Sequence, residues 1–419
     1  MTTTRIHLRY GHQELPIDVP DANLLGVYYP STNLTTLDQN RLLDEVMANP
    51  IGTPRLRDII QPGKKIAIVT SDLTRPTPSG WMIPLISREL DAAGIPDKDV
   101  FIVLALGLHR PMTMLEIEAT LSPKILQRYR VINHDPEDVV HLGVTSFGTP
   151  VEIFRPLVDA DVRICLGNIE FHYFAGYSGG AKAILPGCAS RKCITANHSR
   201  MVEATAIAGR ISDNPVRLDL EEGVAMMGVD FILNVVLDGQ HHIVGAFAGD
   251  VRNAHRKGCE MVDRRGTVDI PRLGDIVIAS AGGYPKDVNF YQAHKALENA
   301  KYFVRPGGII ILLAECTEGI GNKIMEQWIM EIADPDEALA KIRTEFVIGG
   351  HKVAAIALIE KRAMIYSISN LPDFIVKCMR FTPFSTVQEG LDRALEKFGN
   401  LSKVIVLPEA SSILPIGKK

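Results

Sequence analysis

Residues 167–200 read GNIEFHYFAGYSGGAKAILPGCASRKCITANHSR, and the run VRICLGNIE (Val162–Glu170) leads into them. An apolar run that stops at a glycine-rich loop reads as a buried strand ending at the ligand edge of an open α/β sheet. Three chemically able side chains, His172, Lys182 and His198, flank the loop Ala175-Gly176-Tyr177-Ser178-Gly179-Gly180-Ala181. The backbone N–H groups of such a loop are expected to cradle an anion such as a phosphate. The spacing is neither Gly-x-x-x-x-Gly-Lys-Ser/Thr nor Gly-x-Gly-x-x-Gly. On residue types alone the stretch is an anion or cofactor site. A glycine turn beside a surface lysine and two solvated histidines is the alternative.

The same grammar recurs upstream. KKIAIVTSD (Lys64–Asp72) reads as a buried strand that ends in the proline-rich turn Leu73–Pro78. Asp72 and Arg75 therefore fall at a strand's C-terminal end. A helix is expected from Ser79 to Ala93, stopped by Gly94. VFIVLAL (Val100–Leu106) runs into Gly107-Leu108-His109-Arg110-Pro111, and Thr113 with Glu116 forms a capping box for the next helix. His109 thus shares the edge with Asp72. His134 and His141 are read as surface-loop residues. RIHLRY with Leu15–Val19 reads as a hairpin, and a polar helix is expected near Leu37–Met47. Met201–Arg210 looks helical. FILNVVLD and HHIVGAFAG flank an Asp-Gly turn as a second hairpin.

The polar segment Arg264–Gly274 marks a boundary. Beyond it the order strand (Asp275–Ser280), helix from Phe290, strand (Gly307–Glu315) predicts a parallel pair. Gln292 and Lys295 share one face at that helix's start, where an anion is favoured. Helices are expected over Lys323–Ile332, Asp336–Glu345 and His351–Arg362, with another opened by Thr386. The fold class is α/β: two domains, 1–268 and 269–419, with largely parallel sheets and the active site in the cleft between them.

At 419 residues the chain is long for one domain, and 46% hydrophobic with 22% charged residues is ordinary for a globular protein. A net charge of −4 gives no basic field for nucleic acid. No apolar run reaches membrane-span length, so no membrane partner is expected. The six cysteines lack metal-ligand pairing, which suggests reduced thiols in a cytoplasmic protein. Packing is the expected role of Cys188 and Cys193.

In this order along the chain, Asp72/Arg75, His109, His172, Lys182, His198 and Gln292/Lys295 resemble the core of the lactate racemase family. The resemblance covers essentially the whole chain. It implies a nickel-pincer nucleotide, pyridinium-3-thioamide-5-thiocarboxylic acid mononucleotide with nickel, covalently attached to Lys182. By the same resemblance His198 ligates the nickel and His109 and His172 are the catalytic bases. Asp72, Ser178, Gly179 and Gly180 contact the cofactor, and Arg75, Tyr291, Gln292 and Lys295 bind the substrate. The implied reaction is inversion at C2 of a small 2-hydroxy acid, lactate-like as a first guess, by hydride transfer. Cofactor-synthesis enzymes would be its partners. Malate, a longer or aromatic 2-hydroxy acid, or a sugar acid are alternatives. A dicarboxylate would need another cation, with Lys286, Arg110 and Lys301 as candidates. A zinc hydrolase and a non-catalytic cofactor carrier are the readings from other classes.

Overall fold

The computed structural model describes residues 2–31, 38–344, 346–399 and 401–416. They form two compact units, one of residues 33–264 and one of residues 1–32 together with 265–419.

In the first unit a six-stranded sheet has the order Ile243–Gly249, Phe231–Leu237, Val162–Asn168, Ile66–Ser71, Val100–Ala105, Arg130–Asn133. The Phe231/Ile243 pair is an antiparallel hairpin, and every other pairing is parallel. Ile66–Ser71 and Val162–Asn168 are buried almost throughout, as parallel strands covered on both faces must be. Ile66, Ile68, Ile102, Leu104, Ile164 and Leu166 pack with Met82, Ile83 and Ile86 of the helix Ser79–Ala92. Each such side chain contributes about 1.5–3 kcal/mol of burial. From Ile66–Ser71 the chain builds outward to one edge, then returns to lay Val162–Asn168 on the other side. The strand order reverses between these two, and open α/β sheets bind ligands at the carboxyl ends there.

The second unit holds a fully parallel six-stranded sheet in the order Thr382–Pro383, Ala363–Ile368, Val304–Leu313, Gly274–Ser280, Val404–Leu407, Leu24–Val27. Its reversal lies between Gly274–Ser280 and Val404–Leu407. The hairpin Thr3–Tyr10/Gln13–Pro20 packs Leu8, Ile17 and Val19 against Ile276, Ile278, Ile311 and Val406. This corrects the expected first domain of residues 1–268, because residues 1–32 belong to the later unit. Leu24–Val27 completes that unit's sheet beside Val404–Leu407, which sequence order hides.

Elements with strong local signals form as expected. Thr113 and Glu116 make the capping box in both directions. Asp38 caps a helix at Gln39–Ala48, and its expected start, Leu37, lies outside the described residues, as does Glu345. Met201–Arg210 is not a helix: after a short turn, Ser199–Val202, the backbone is irregular. Gly209 N–H there bonds to Gly176 O, and Asn214 Nδ2 holds Ile207 O and Phe174 O. Those partners replace helical ones. The helices Arg191–His198, Pro215–Ala225 and Asn253–Gly266 add to those expected from the sequence. His134 is buried rather than on a surface loop, set edge-on to Phe154 at 5.4 Å. Among the described residues no helix is long and apolar enough to cross a membrane.

Candidate active site

Strand Ile66–Ser71 delivers Asp72 to the reversal edge, where the carboxylate organises its own turn. Oδ1 accepts from Thr74 N at 3.1 Å and from Thr74 Oγ1 at 2.6 Å. Oδ2 lies 2.5 Å from Nδ1 of His109, which follows the adjacent strand. A carboxylate on Nδ1 keeps the proton there, so Nε2 is the basic nitrogen. Burial alone would raise the Asp72 pKa. The hydrogen bonds from His109 and Thr74, with the charges of His109 and Arg75, bring it below its usual value. Asp72 is therefore an anion that orients His109.

The second cluster forms around a residue not singled out from the sequence, Phe174. His172 meets its ring edge-on at 4.5 Å, His198 meets it at 4.9 Å, and Lys182 Nζ lies 5.7 Å from its centroid. Tyr173 stacks on His172 at 5.3 Å. The available signal was the aromatic flanking of His172 in Phe171-His172-Tyr173-Phe174. Burial, then the charges of Lys182, Arg75, His198 and Arg217, hold His172 well below the usual imidazole range. The ring is neutral. Its Nδ1 accepts Ala175 N–H at 3.3 Å. Burial with the charges of Arg217 and Arg75 likewise holds the Lys182 amine well below the usual lysine range.

His198 closes the helix Arg191–His198, which Ser190 caps through Cys193 N. Its Nδ1 lies 2.9 Å from Asn197 Oδ1, so Nδ1 carries the proton and a metal would take Nε2. Asn197 Nδ2 donates to Asp219 Oδ2 at 2.7 Å and to Val216 O at 3.0 Å. Asp219 in turn accepts from Thr145 at 2.6 Å and Thr149 at 2.7 Å. Among the described residues no three His, Cys, Asp or Glu side chains gather as a metal cage. The buried Cys188 and Cys193 thiols are pushed up by desolvation, as packing residues would be. His198 can offer one imidazole nitrogen, Nε2, to a metal that brings its other ligands with it.

The glycine loop is held by its neighbours through several of its own amides. Its amides at Tyr177, Ser178, Gly180 and Lys182 already bond to Ala175 O, Glu170 O, Asn234 Oδ1 and Gly179 O. The Ser178 hydroxyl donates to Asn168 O and accepts from Glu170 N. Its glycines allow close approach: a Cβ on Gly176 (φ +76°) would sit 2.0 Å from Arg210 O, and one on Gly180 (φ +59°) would sit 2.8 Å from the His255 ring. Arg75 is exposed and lines an open cavity of about 790 Å³ with Thr77, Ser79 and Thr120 at the start of helix Ser79–Ala92.

In the other unit, helix Phe290–Ala300 is capped by Asn289, which accepts from Gln292 N. Tyr291, Gln292 and Lys295 occupy its first turns, with Lys295 exposed. Lys352 Nζ donates to Tyr291 O at 2.6 Å and lies 3.9 Å from the Tyr291 ring centroid. Two of the cations considered for a dicarboxylate are engaged: Arg110 by Glu116 and Lys301 by Glu298. The third, Lys286, stands 3.8 Å from Glu409.

Comparison with known proteins agrees over the whole chain. The family described as "Lactate racemase N-terminal domain" matches residues 10–209, and "Lactate racemase C-terminal domain" matches residues 271–414. A lactate racemase from Thermoanaerobacterium thermosaccharolyticum is 35% identical over 98% of both chains. One from Lactiplantibacillus plantarum is 32% identical over 98% of this chain and 99% of its own. The solved lactate racemase apoprotein from T. thermosaccharolyticum superposes with a TM-score of 0.92, covering 98% of this chain and 100% of that one, at 35% identity. A protein from Thermotoga maritima shares the fold at a TM-score of 0.64 and 19% identity, covering 93% of this chain and 99% of its own.

Proposed function

The chain belongs to the lactate racemase family and is an isomerase, and from that premise we propose that it inverts C2 of a 2-hydroxy acid, with lactate as first substrate, using a nickel-pincer nucleotide attached to Lys182. The observation that supports this reading is the gathering of His172, Lys182 and His198 on the single ring of Phe174. Lys182 would tether the nucleotide and His198 Nε2 would ligate its nickel. When bound, this group supplies an electrophile able to take the C2 hydrogen as hydride, which avoids building negative charge beside a carboxylate. Enzymes that make the nucleotide are the partners this reading requires.

The chain's own residues handle the proton and the orientation. The substrate hydroxyl must lose a proton as C2 loses its hydrogen. The two antipodes present that hydroxyl differently, so two bases are needed. His109 accepts at Nε2 because Asp72 occupies Nδ1. His172 is assigned to the other antipode; Nδ1 must release Ala175 N–H, or Nε2 its proton, before the neutral ring can accept there. Arg75 polarises the substrate oxygen. Tyr291, Gln292 and Lys295 are assigned to the carboxylate. The engagement of Arg110 and Lys301 favours a monocarboxylate over a dicarboxylate.

The test replaces each base singly in the loaded enzyme. His109→Ala and His172→Ala should each lower racemisation about 10²–10⁴-fold. In a single-turnover quench each variant should still oxidise one antipode to bound keto acid, and the two variants should prefer opposite antipodes. Full racemisation in either variant defeats the two-base assignment.

A further inference from the structure

Arg217 lies on helix Pro215–Ala225, and its side chain is 0% exposed. Burying a guanidinium without a close partner is costly, so such a charge calls for a reason. Nε donates to Ala175 O at 3.3 Å and Nη2 donates to Tyr177 O. Nη1 makes no hydrogen bond among the described residues and is 3.7 Å from Glu221. Glu221 is committed elsewhere: Arg256 binds it bidentately at 2.8 and 2.7 Å, and Arg252 approaches at 3.8 Å. The Arg217 charge is therefore poorly matched, and it sits beneath the backbone that joins His172 to Lys182. His255 supports the same loop, with Nε2 2.8 Å from Ser178 O.

We propose that Arg217 is a positioning residue for Lys182: from helix Pro215–Ala225 it clamps the Ala175 and Tyr177 carbonyls of the loop that leads to the lysine, and its buried charge acts on the amine. The proposal rests on Lys182 as the tether, since a nucleophilic amine must be uncharged to form a bond. The charged and titratable groups around Lys182 are Arg217, Arg75, His172, His255 and the acid Glu170. Those around Arg217 are Glu221, Cys259, Arg256 and Tyr177. Cations outnumber acids about the amine, and like charge disfavours the ammonium form. The direction in which the Lys182 pKa moves, with Arg217 the foremost charge behind it, agrees.

The experiment is acetylation of the cofactor-free protein by acetic anhydride across pH. Labelling at Lys182 is quantified by peptide mass spectrometry against the exposed lysines. Wild-type Lys182 should react at a pH where exposed lysines scarcely do. Arg217→Gln should move its midpoint to higher pH, and reactivity at pH 7 should fall about tenfold if that midpoint rises by about 1 in pH. Arg217→Lys, which keeps the charge but not the fork, should restore most of the midpoint. Glu221→Gln leaves Arg217 in place and removes the acid nearest to it, so it should move the midpoint downward. It also decides the matter if Arg217→Gln does not fold. A Lys182 midpoint unchanged in Glu221→Gln and in folded Arg217→Gln overturns the proposal. The tether itself is tested separately: a cofactor adduct persisting in Lys182→Ala refutes that reading and leaves the acetylation result standing.

Discussion

The two histidines assigned to proton transfer are built differently. His109 has a carboxylate partner, whereas His172 has aromatic walls and surrounding cations. His198 is a third kind, an imidazole tied back by an amide. Asn197 holds its Nδ1, and Asn197 is itself fixed by Asp219 and by Val216 O. Asn197→Ala should leave the Phe174 packing intact but let the imidazole turn. Partners of this kind are typically worth about 10–100-fold in metal affinity. Chelator competition on the loaded protein should therefore show nickel leaving at about 10–100-fold lower chelator. Nickel held as tightly as in wild type would mean that Asn197 does not orient the ligand. None of this was legible in the sequence. His172, Lys182 and His198 stood out by residue type and by their place around a glycine loop. Asn197 and Arg217 carry no local signal, because their partners are set by where distant helices pack.

At the scale of elements, helix Ser79–Ala92 shows how the reversal edge is held. Near its far end Glu89, 3% exposed, takes hydrogen bonds from both Arg55 and Arg57 beside the short helix Leu56–Ile59. Burial would raise the Glu89 pKa, but the bonds from Arg57 and Arg55 outweigh it and bring it to about 2, from an ordinary 4.5. A folded pKa depressed below the unfolded one stabilises the fold at pH above 4.5, and that stabilisation is lost as pH falls from 4.5 towards 2. Glu89→Gln should cost about 1.5–3 kcal/mol at pH 7, the range for hydrogen bonds to a charged group, since the two arginines it releases stay about a third exposed to water. The gap to wild type should narrow as pH drops through that window, as read by urea unfolding. A gap that stays constant from pH 7 to about pH 2 would show that Glu89 acts through packing alone. The helix was readable because its stop, Gly94, and the neighbouring capping box at Thr113 are local. The Asp72–His109 contact was not, since it depends on which strands lie side by side.

The whole molecule is one chain in which a complete α/β unit is inserted between an opening segment and its own sheet. Residues 1–31 supply the edge strand Leu24–Val27 and a hairpin that buries Leu8, Ile17 and Val19 in the later unit's core. Composition and boundary signals cannot reveal this, because the pairing joins residues separated by almost the entire chain. The two sides of the insertion meet directly: Ser31 N–H donates to Arg265 O at 2.8 Å. A chain in which residue 31 is joined to 265 through a short Gly/Ser linker, with 33–264 removed, should therefore fold as one cooperative unit. Its sheet and core would be intact, and closing a loop of a few residues costs little entropy. The same later segment without residues 1–31 lacks its edge strand and exposes Ile276, Ile278 and Val406, and it should aggregate or fail to fold. Near-ultraviolet circular dichroism and a urea transition on both proteins check this. A later segment that unfolds cooperatively without residues 1–31, with stability equal to the joined form, would show that the opening segment is an accessory to that unit rather than part of its core.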